Sequence, residues 1–271
     1  MLGTTGTRIM GVLNVTPDSF YGPSRVNSDL SIREVGTSMI VSGAHILDIG
    51  GESSRPGAKP VGLEEELARI IPAFDALQGV GADLSIDTCR AQTAREAIAR
   101  GATLVNDITS FHGDPDMASV VAEAEVECVL MHMRGTPETM QIAPVYDDIM
   151  ADITAFFTER LDFAMSAGIR PERIWIDPGF GFGKTVEHNL EILRRLSELR
   201  DIGCRILIGT SNKSTIGAVL GAEVDERKEG TAATVAIAIQ NGADAVRVHD
   251  VAAMAKVARM TDAVIGRINI E

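Results

Sequence analysis

Along the chain, short unbroken apolar runs alternate with longer segments whose hydrophobic positions recur at helical spacing. The runs are Ile9-Met-Gly-Val-Leu-Asn-Val15, Ala44-His-Ile-Leu-Asp-Ile-Gly-Gly51, Asp83-Leu-Ser-Ile-Asp-Thr88 and Thr103-Leu-Val-Asn-Asp-Ile108. They continue as Glu127-Cys-Val-Leu-Met-His132, Arg173-Ile-Trp-Ile-Asp177, Arg205-Ile-Leu-Ile-Gly-Thr210 and Ala245-Val-Arg-Val-His249. Helical patterns lie near 29–43, 62–78, 90–100, 115–124 and 146–167, with a last one near 251–265. Eight strands, each followed by a helix, over roughly 250 residues predict an α/β fold, a (β/α)8 TIM barrel. Runs this apolar suit a parallel sheet covered on both faces. An open doubly wound sheet is the alternative, but the even repeats and the lack of a second compositional block favour closure. Residues 1–271 therefore read as one domain without linkers.

Polar residues break this pattern at one place in each repeat. Asn14, Asp48, Asp87, Asn106, Asp177 and His249 are expected at or just beyond the C-terminal ends of strands. His132 closes the fifth strand, and Ser211 and Lys213 follow the seventh. Any one of these could cap a helix or satisfy a loop. A ring drawn from nearly every strand converges on one mouth, where barrels build their sites.

Composition narrows the chemistry. The 271 residues carry 25 Lys plus Arg against 38 Asp plus Glu, a net charge of −13, and so lack the basic face that nucleic acid requires. Apolar residues form 45% of the chain, enough for a large core. Cys89, Cys128 and Cys204 are too scattered for zinc or redox pairing and suggest reduced thiols in a cytoplasm. No run approaches the ~18 apolar residues of a membrane span, and the N-terminus lacks an export signal.

Two glycine-rich stretches call for separate treatment. Asp177-Pro-Gly-Phe-Gly-Phe-Gly-Lys-Thr185 fails the Walker pattern because Pro178 occupies its first glycine position. It fails the dinucleotide pattern because Lys184 replaces the last glycine. A flexible loop is expected there, with Phe180 and Phe182 available to cover a flat ligand, or else a tight turn that buries Phe180. In Gly209-Thr-Ser-Asn-Lys-Ser-Thr-Ile-Gly217, small hydroxyl residues and Lys213 lie where a strand enters a helix, an anion-favouring position. Arg247 and His249 alternate on the eighth strand and so share a face. With Lys213 they supply local positive charge for a phosphorylated ligand. His45, His112 and His188 receive no role, and Met131 and Met133 read as wall residues.

In its motifs the chain resembles the dihydropteroate synthase family. These are Met10-Gly-Val-Leu-Asn-Val-Thr-Pro-Asp-Ser-Phe20, Asp48-Ile-Gly-Gly-Glu-Ser-Ser-Arg-Pro-Gly57, Ser85-Ile-Asp-Thr88 and Val105-Asn-Asp-Ile108. Met131-His-Met-Arg134, Asp177-Pro-Gly-Phe-Gly-Phe182 and Arg247-Val-His249 follow in family order. The resemblance implies condensation of 6-hydroxymethyl-7,8-dihydropterin pyrophosphate with 4-aminobenzoate, giving 7,8-dihydropteroate and pyrophosphate in folate biosynthesis. It also implies Mg²⁺, a cytoplasmic homodimer formed through the later helices, and a sulfonamide target.

By the same resemblance, Asp87, Asn106, Asp177 and Lys213 are the pterin set, with Met131 beside them, and Asn14 is associated with Mg²⁺. Ser54, Arg247 and His249, with the Val248 backbone, contact the diphosphate, and Arg55 is a further substrate-binding residue. Phe182, Pro56, Lys213 and Ser214 flank the aminobenzoate. Lys213, Asp87, Arg247 and His249 form the catalytic group. Two motifs depart from the family: Tyr21-Gly-Pro-Ser24 replaces Ser-Asp-Gly-Gly, and Ser211-Asn-Lys-Ser214 replaces Ser-Arg-Lys-Ser. A pterin-dependent methyltransferase on the same barrel is one alternative; the cluster of cations disfavours it, since a methyl-pterin carries no diphosphate. The other is a pterin-binding paralogue that uses another arylamine or none.

Overall fold

The computed structural model describes residues 6–15, 28–52, 61–136, 139–140 and 144–269. Eight parallel strands close into a barrel in sequence order: β1 (Arg8–Asn14), β2 (Ile46–Gly50), β3 (Asp83–Asp87), β4 (Ala102–Asp107), β5 (Glu127–Met131), β6 (Ile174–Asp177), β7 (Arg205–Ile208) and β8 (Ala245–Val248). β8 pairs with β1, which leaves no sheet edge unpaired. Among the described residues nine α-helices surround it: α1 (Ser28–Val41), α2 (Leu63–Leu77), α3 (Ala91–Ile98), α4 (Met117–Ala124), α5 (Ile149–Ser166), α6 (Val186–Arg195), α7 (Ser214–Leu220), α8 (Lys228–Gln240) and α9 (Val251–Val264). The one-helix-per-strand expectation fails after β7, which is followed by both α7 and α8. Gly221, at φ +64°, ends α7 and allows the chain to turn there.

Strand periodicity sorts the side chains. Ile9, Leu13, Leu47, Ile49, Ile86, Val105, Leu130, Ile176, Ile208 and Val248 point outward and form the large core under the helices. Met10, Ile46, Leu104, Val129, Trp175, Leu207 and Ala245 point inward and fill the lower barrel. Trp175 closes this layer with Nε1 donating to Glu127 Oε2 at 2.9 Å, while the Arg205 guanidinium lies 4.1 Å from its ring centre. Two residues further along each strand, the same inward face carries Val12, Asp48, Asn106, Met131, Asp177 and Arg247. Chemistry thus begins one layer above the apolar plug.

Candidate active site

Val12, Asn106, Ile108, Met131, Asp177, Phe180, Phe182, Gly209, Ser211, Lys213, Arg247 and His249 line one hollow at the C-terminal mouth. It is narrow, about 40 Å³, and Arg247 forms part of its wall. A larger hollow of about 690 Å³ opens at the other end of the barrel, between Arg8, His45 and the face of α9. It contains none of the strand-end polar groups, so the chemistry belongs to the smaller one.

At the centre of the mouth lies a buried ion-pair group. Arg247 Nε donates to Asp48 Oδ2 at 2.6 Å and Nη2 to Asp87 Oδ2 at 2.7 Å. Asp48 also accepts from Ser85 Oγ at 2.5 Å and Asn106 Nδ2 at 3.2 Å. This corrects one sequence expectation. Asp48 is the third residue of β2, not its end, and is fully buried, so it holds Arg247 and Asn106 in place. Asp87 ends β3; burial pushes its carboxyl up to about 7, with Arg247 opposing the rise and Asp48 adding to it.

Asp177, the last residue of β6, is also buried, and the loss of solvent raises its pKa. Its Oδ1 accepts from Gly179 N at 2.7 Å, which opens the glycine-rich turn. The expected flexible loop is instead clamped. Phe182 N donates to Gly179 O at 3.0 Å, Gly181 N to Asn189 Oδ1 at 2.7 Å, and Tyr146 OH to Gly183 O at 2.8 Å. Gly179 sits at φ +68°, and a Cβ there would lie 1.9 Å from His132 O, so only glycine fits. The turn drives most of Phe180 into the main core at 1% exposure, so it contributes to the wall of the hollow and not to a cover over it. Phe182, less deeply packed at 9% exposure, meets Lys213, whose Nζ lies 3.9 Å from its ring centre.

Lys213 precedes α7, and Asn212 before it adopts φ +58°. Arg227 Nη1 donates to the Asn212 carbonyl at 3.0 Å, so a guanidinium from further along the chain braces this turn. Ser211 Oγ lies 3.0 Å from His249 Nδ1, tying the loop after β7 to the end of β8. Ser214 is exposed at the start of α7, and the Val248 side chain faces the outer core. Ser54, Arg55, Pro56 and the departure at Tyr21–Ser24 lie outside the described residues.

Residues that the sequence did not single out support the mouth. Arg90 Nη1 donates to Glu52 Oε2 and to the buried Glu66 Oε2, both at 2.7 Å, while Nη2 donates to Val61 O at 2.6 Å. It therefore joins the two chain ends that flank residues 53–60. Lys184, considered above only as a mismatch to nucleotide motifs, is buried against His132. Its position after a run of alternating glycines was the available signal. Among the described residues, no three His, Cys, Asp or Glu side chains converge on a metal. Asn14 supplies one carboxamide oxygen at the end of β1; a Cβ on Gly50 would lie 3.7 Å from both Asn14 Oδ1 and Asp87 Oδ2. That sparse oxygen set fits Mg²⁺ that takes its other ligands from a diphosphate and water.

Comparison with known proteins agrees with the barrel fold. The family of pterin binding enzymes matches residues 10–249. A dihydropteroate synthase of Synechocystis is 46% identical over 95% of this chain and 90% of its own length. The Clostridium difficile dihydropteroate synthase solved in the presence of pteroic acid superimposes with TM-score 0.91 at 45% identity, covering 97% of this chain and 98% of that one. The Xanthomonas albilineans enzyme with 4-aminobenzoic acid gives TM-score 0.89 at 40% identity, over 96% and 94% of the two chains. The chain belongs to the dihydropteroate synthase family of pterin binding enzymes, transferases of a pterin-methyl group.

Proposed function

We propose that this mouth condenses 6-hydroxymethyl-7,8-dihydropterin pyrophosphate with 4-aminobenzoate, releasing 7,8-dihydropteroate and pyrophosphate. One observation carries the residue assignment: buried Asp177 and Asn106 share a single hollow with Phe182, Lys213, Arg247 and His249. A carboxylate suits two adjacent N–H donors, so Asp177 takes the amino-pyrimidine edge of the pterin, with Asn106, Asp87 and Lys213 completing the set. Arg247 and His249 receive the diphosphate, and Phe182, Lys213 and Ser214 flank the arylamine.

The bond between the pterin methylene and the diphosphate oxygen breaks, and a C–N bond forms to the amine, which then loses a proton. The neutral arylamine nitrogen requires no strong base before attack. The electron-rich pterin favours a loose, cation-like transition state, so the protein's task is to orient both partners, exclude water and stabilise the departing anion. Asn14 would hold Mg²⁺ together with diphosphate oxygens; when bound, the ion offsets charge on the leaving group. Sulfonamides, as arylamine analogues, would compete for the Phe182–Lys213 side.

A cytoplasmic homodimer completes the reading. Val219, Leu220, Val224 and Ile237, on and between α7 and α8, expose apolar surface that a second copy would cover. Among the described residues, no helix is long and apolar enough to cross a membrane.

Pyrophosphate release, measured with the pterin diphosphate and a panel of arylamines, tests the function. Turnover with 4-aminobenzoate is expected. Pterin binding without turnover for any amine would establish the silent paralogue instead.

The pH dependence provides a separate check. With ionised Asp87 holding Arg247, kcat/KM falls on the acid side with a midpoint near 7, and Asp87→Asn removes that limb. Stability runs the other way. Native Asp87 keeps its proton up to about 7, whereas the unfolded chain releases it near 4, so this contribution is lost as pH rises through that window. Denaturant midpoints at several pH values, compared with Asp87→Asn, read the effect directly.

A further inference from the structure

Lys184 is 3% exposed and makes its contacts to two different loops. Its Nζ lies 3.0 Å from His132 Nδ1 and donates to His132 O at 3.1 Å and to Phe182 O at 2.9 Å. Those partners belong to the chain leaving β5 and to the glycine turn leaving β6. A side chain that only filled space there would be apolar, because a buried ammonium is costly to desolvate. That cost pushes Lys184 down to about 7, with Asp177 favouring its charge and Lys213 opposing it. Both forms satisfy the site. The ammonium donates to two carbonyls and to Nδ1, whereas the amine donates to the carbonyls and accepts from an Nδ1–H.

The effect of this clamp falls on Phe182. Its carbonyl is fixed by Lys184 and its N–H by Gly179 O at 3.0 Å, so its backbone is pinned on both sides. Gly179 is in turn pressed against His132 O, the other acceptor of Lys184. The direction of the Phe182 ring, which meets Lys213 Nζ 3.9 Å from its centre, is thereby set by a residue that does not line the hollow. We propose that Lys184 is a positioning residue for the aromatic amine, joining the end of β5 to the Phe182 carbonyl so that the ring stays opposite Lys213. This role rests on the proposed function of the site and extends it to a specific support for the second substrate.

Steady-state kinetics with both substrates, together with calorimetry of the pterin diphosphate alone, test it in wild type, Lys184→Met, Phe182→Leu and the double variant. Lys184→Met should raise KM for 4-aminobenzoate about tenfold while changing pterin affinity less than about threefold. In the Phe182→Leu background the same change should add little, because both variants remove one wall. Lys184→Gln, which can still donate to the two carbonyls, should recover part of the loss. Should the methionine variant fail to fold, the glutamine variant and its double with Phe182→Leu make the same comparison.

Additive effects, an equal loss of pterin affinity, or a lower melting temperature with KM unchanged would each overturn the role of Lys184. A wild-type protein without turnover overturns the reading of the site itself, a separate outcome.

Discussion

Asp177→Asn is expected to lower kcat/KM by about a hundredfold or more, while the protein still folds. The substitution keeps shape and leaves an amide oxygen for Gly179 N, whose bond to Asp177 Oδ1 starts the glycine turn. It also relieves the cost of a carboxylate buried at 7% exposure. Toward a pterin the exchange is far less tolerant. One of two acceptors becomes a donor facing a donor, in a site with little water to compensate. Losing a charge-assisted pair and leaving a buried donor unsatisfied costs roughly 3 kcal/mol, just over two decades in rate. Pterin affinity by calorimetry should fall in parallel, with the melting temperature within a few degrees of wild type. A variant within fivefold of wild type in kcat/KM would remove Asp177 from the pterin set.

Arg247→Met should be damaging in a different way, through stability as well as activity. Arg247 is the shared partner of Asp48, which is fully buried, and Asp87, whose side chain is 10% exposed. Removing one member of a buried ionic group leaves its partners uncompensated and costs about 3–5 kcal/mol. The urea midpoint should drop by the corresponding amount with little change in slope. Adding Asp48→Asn should restore much of the stability, because it removes an orphaned charge, but no activity, because the cation for the diphosphate is still missing. An unchanged midpoint for the single variant would mean that the group does not hold the barrel mouth together.

These two residues also mark how far the sequence could be read. Asp177 was legible because it ends an apolar run and begins a motif. Arg247 was legible as a cation on the inward face of β8, but its engagement with Asp48 and Asp87 was not. Those partners lie 199 and 160 residues away, a separation that strand periodicity cannot bridge. The same limit explains Asp48: its type and motif suggested an open mouth residue, and only the folded barrel showed it fully buried beneath Arg247 and Asn106 as their partner. Phe180 and Phe182 stand two apart in the same turn and both touch the hollow, yet Phe180 packs into the main core while Phe182 meets Lys213. Backbone angles at the intervening Gly181, with φ +86°, decide between them, and glycine itself encodes no direction. Lys184 went unread because its partners are mostly backbone carbonyls, which every residue possesses.

The alternation of eight apolar runs with helical segments was sufficient to specify the closed barrel, because a two-residue period sends one face inward and the other under the helices. The motifs, local in sequence, were sufficient to resemble the family. What the tertiary structure alone decided is which charges neutralise each other. Of a net −13, the carboxylates of Asp48 and Asp87 are directed inward and paired with Arg247, while Lys184 is buried against His132 and the Phe182 carbonyl. Charge is additive along a chain, but its effect depends on distance and burial, and those exist only after folding.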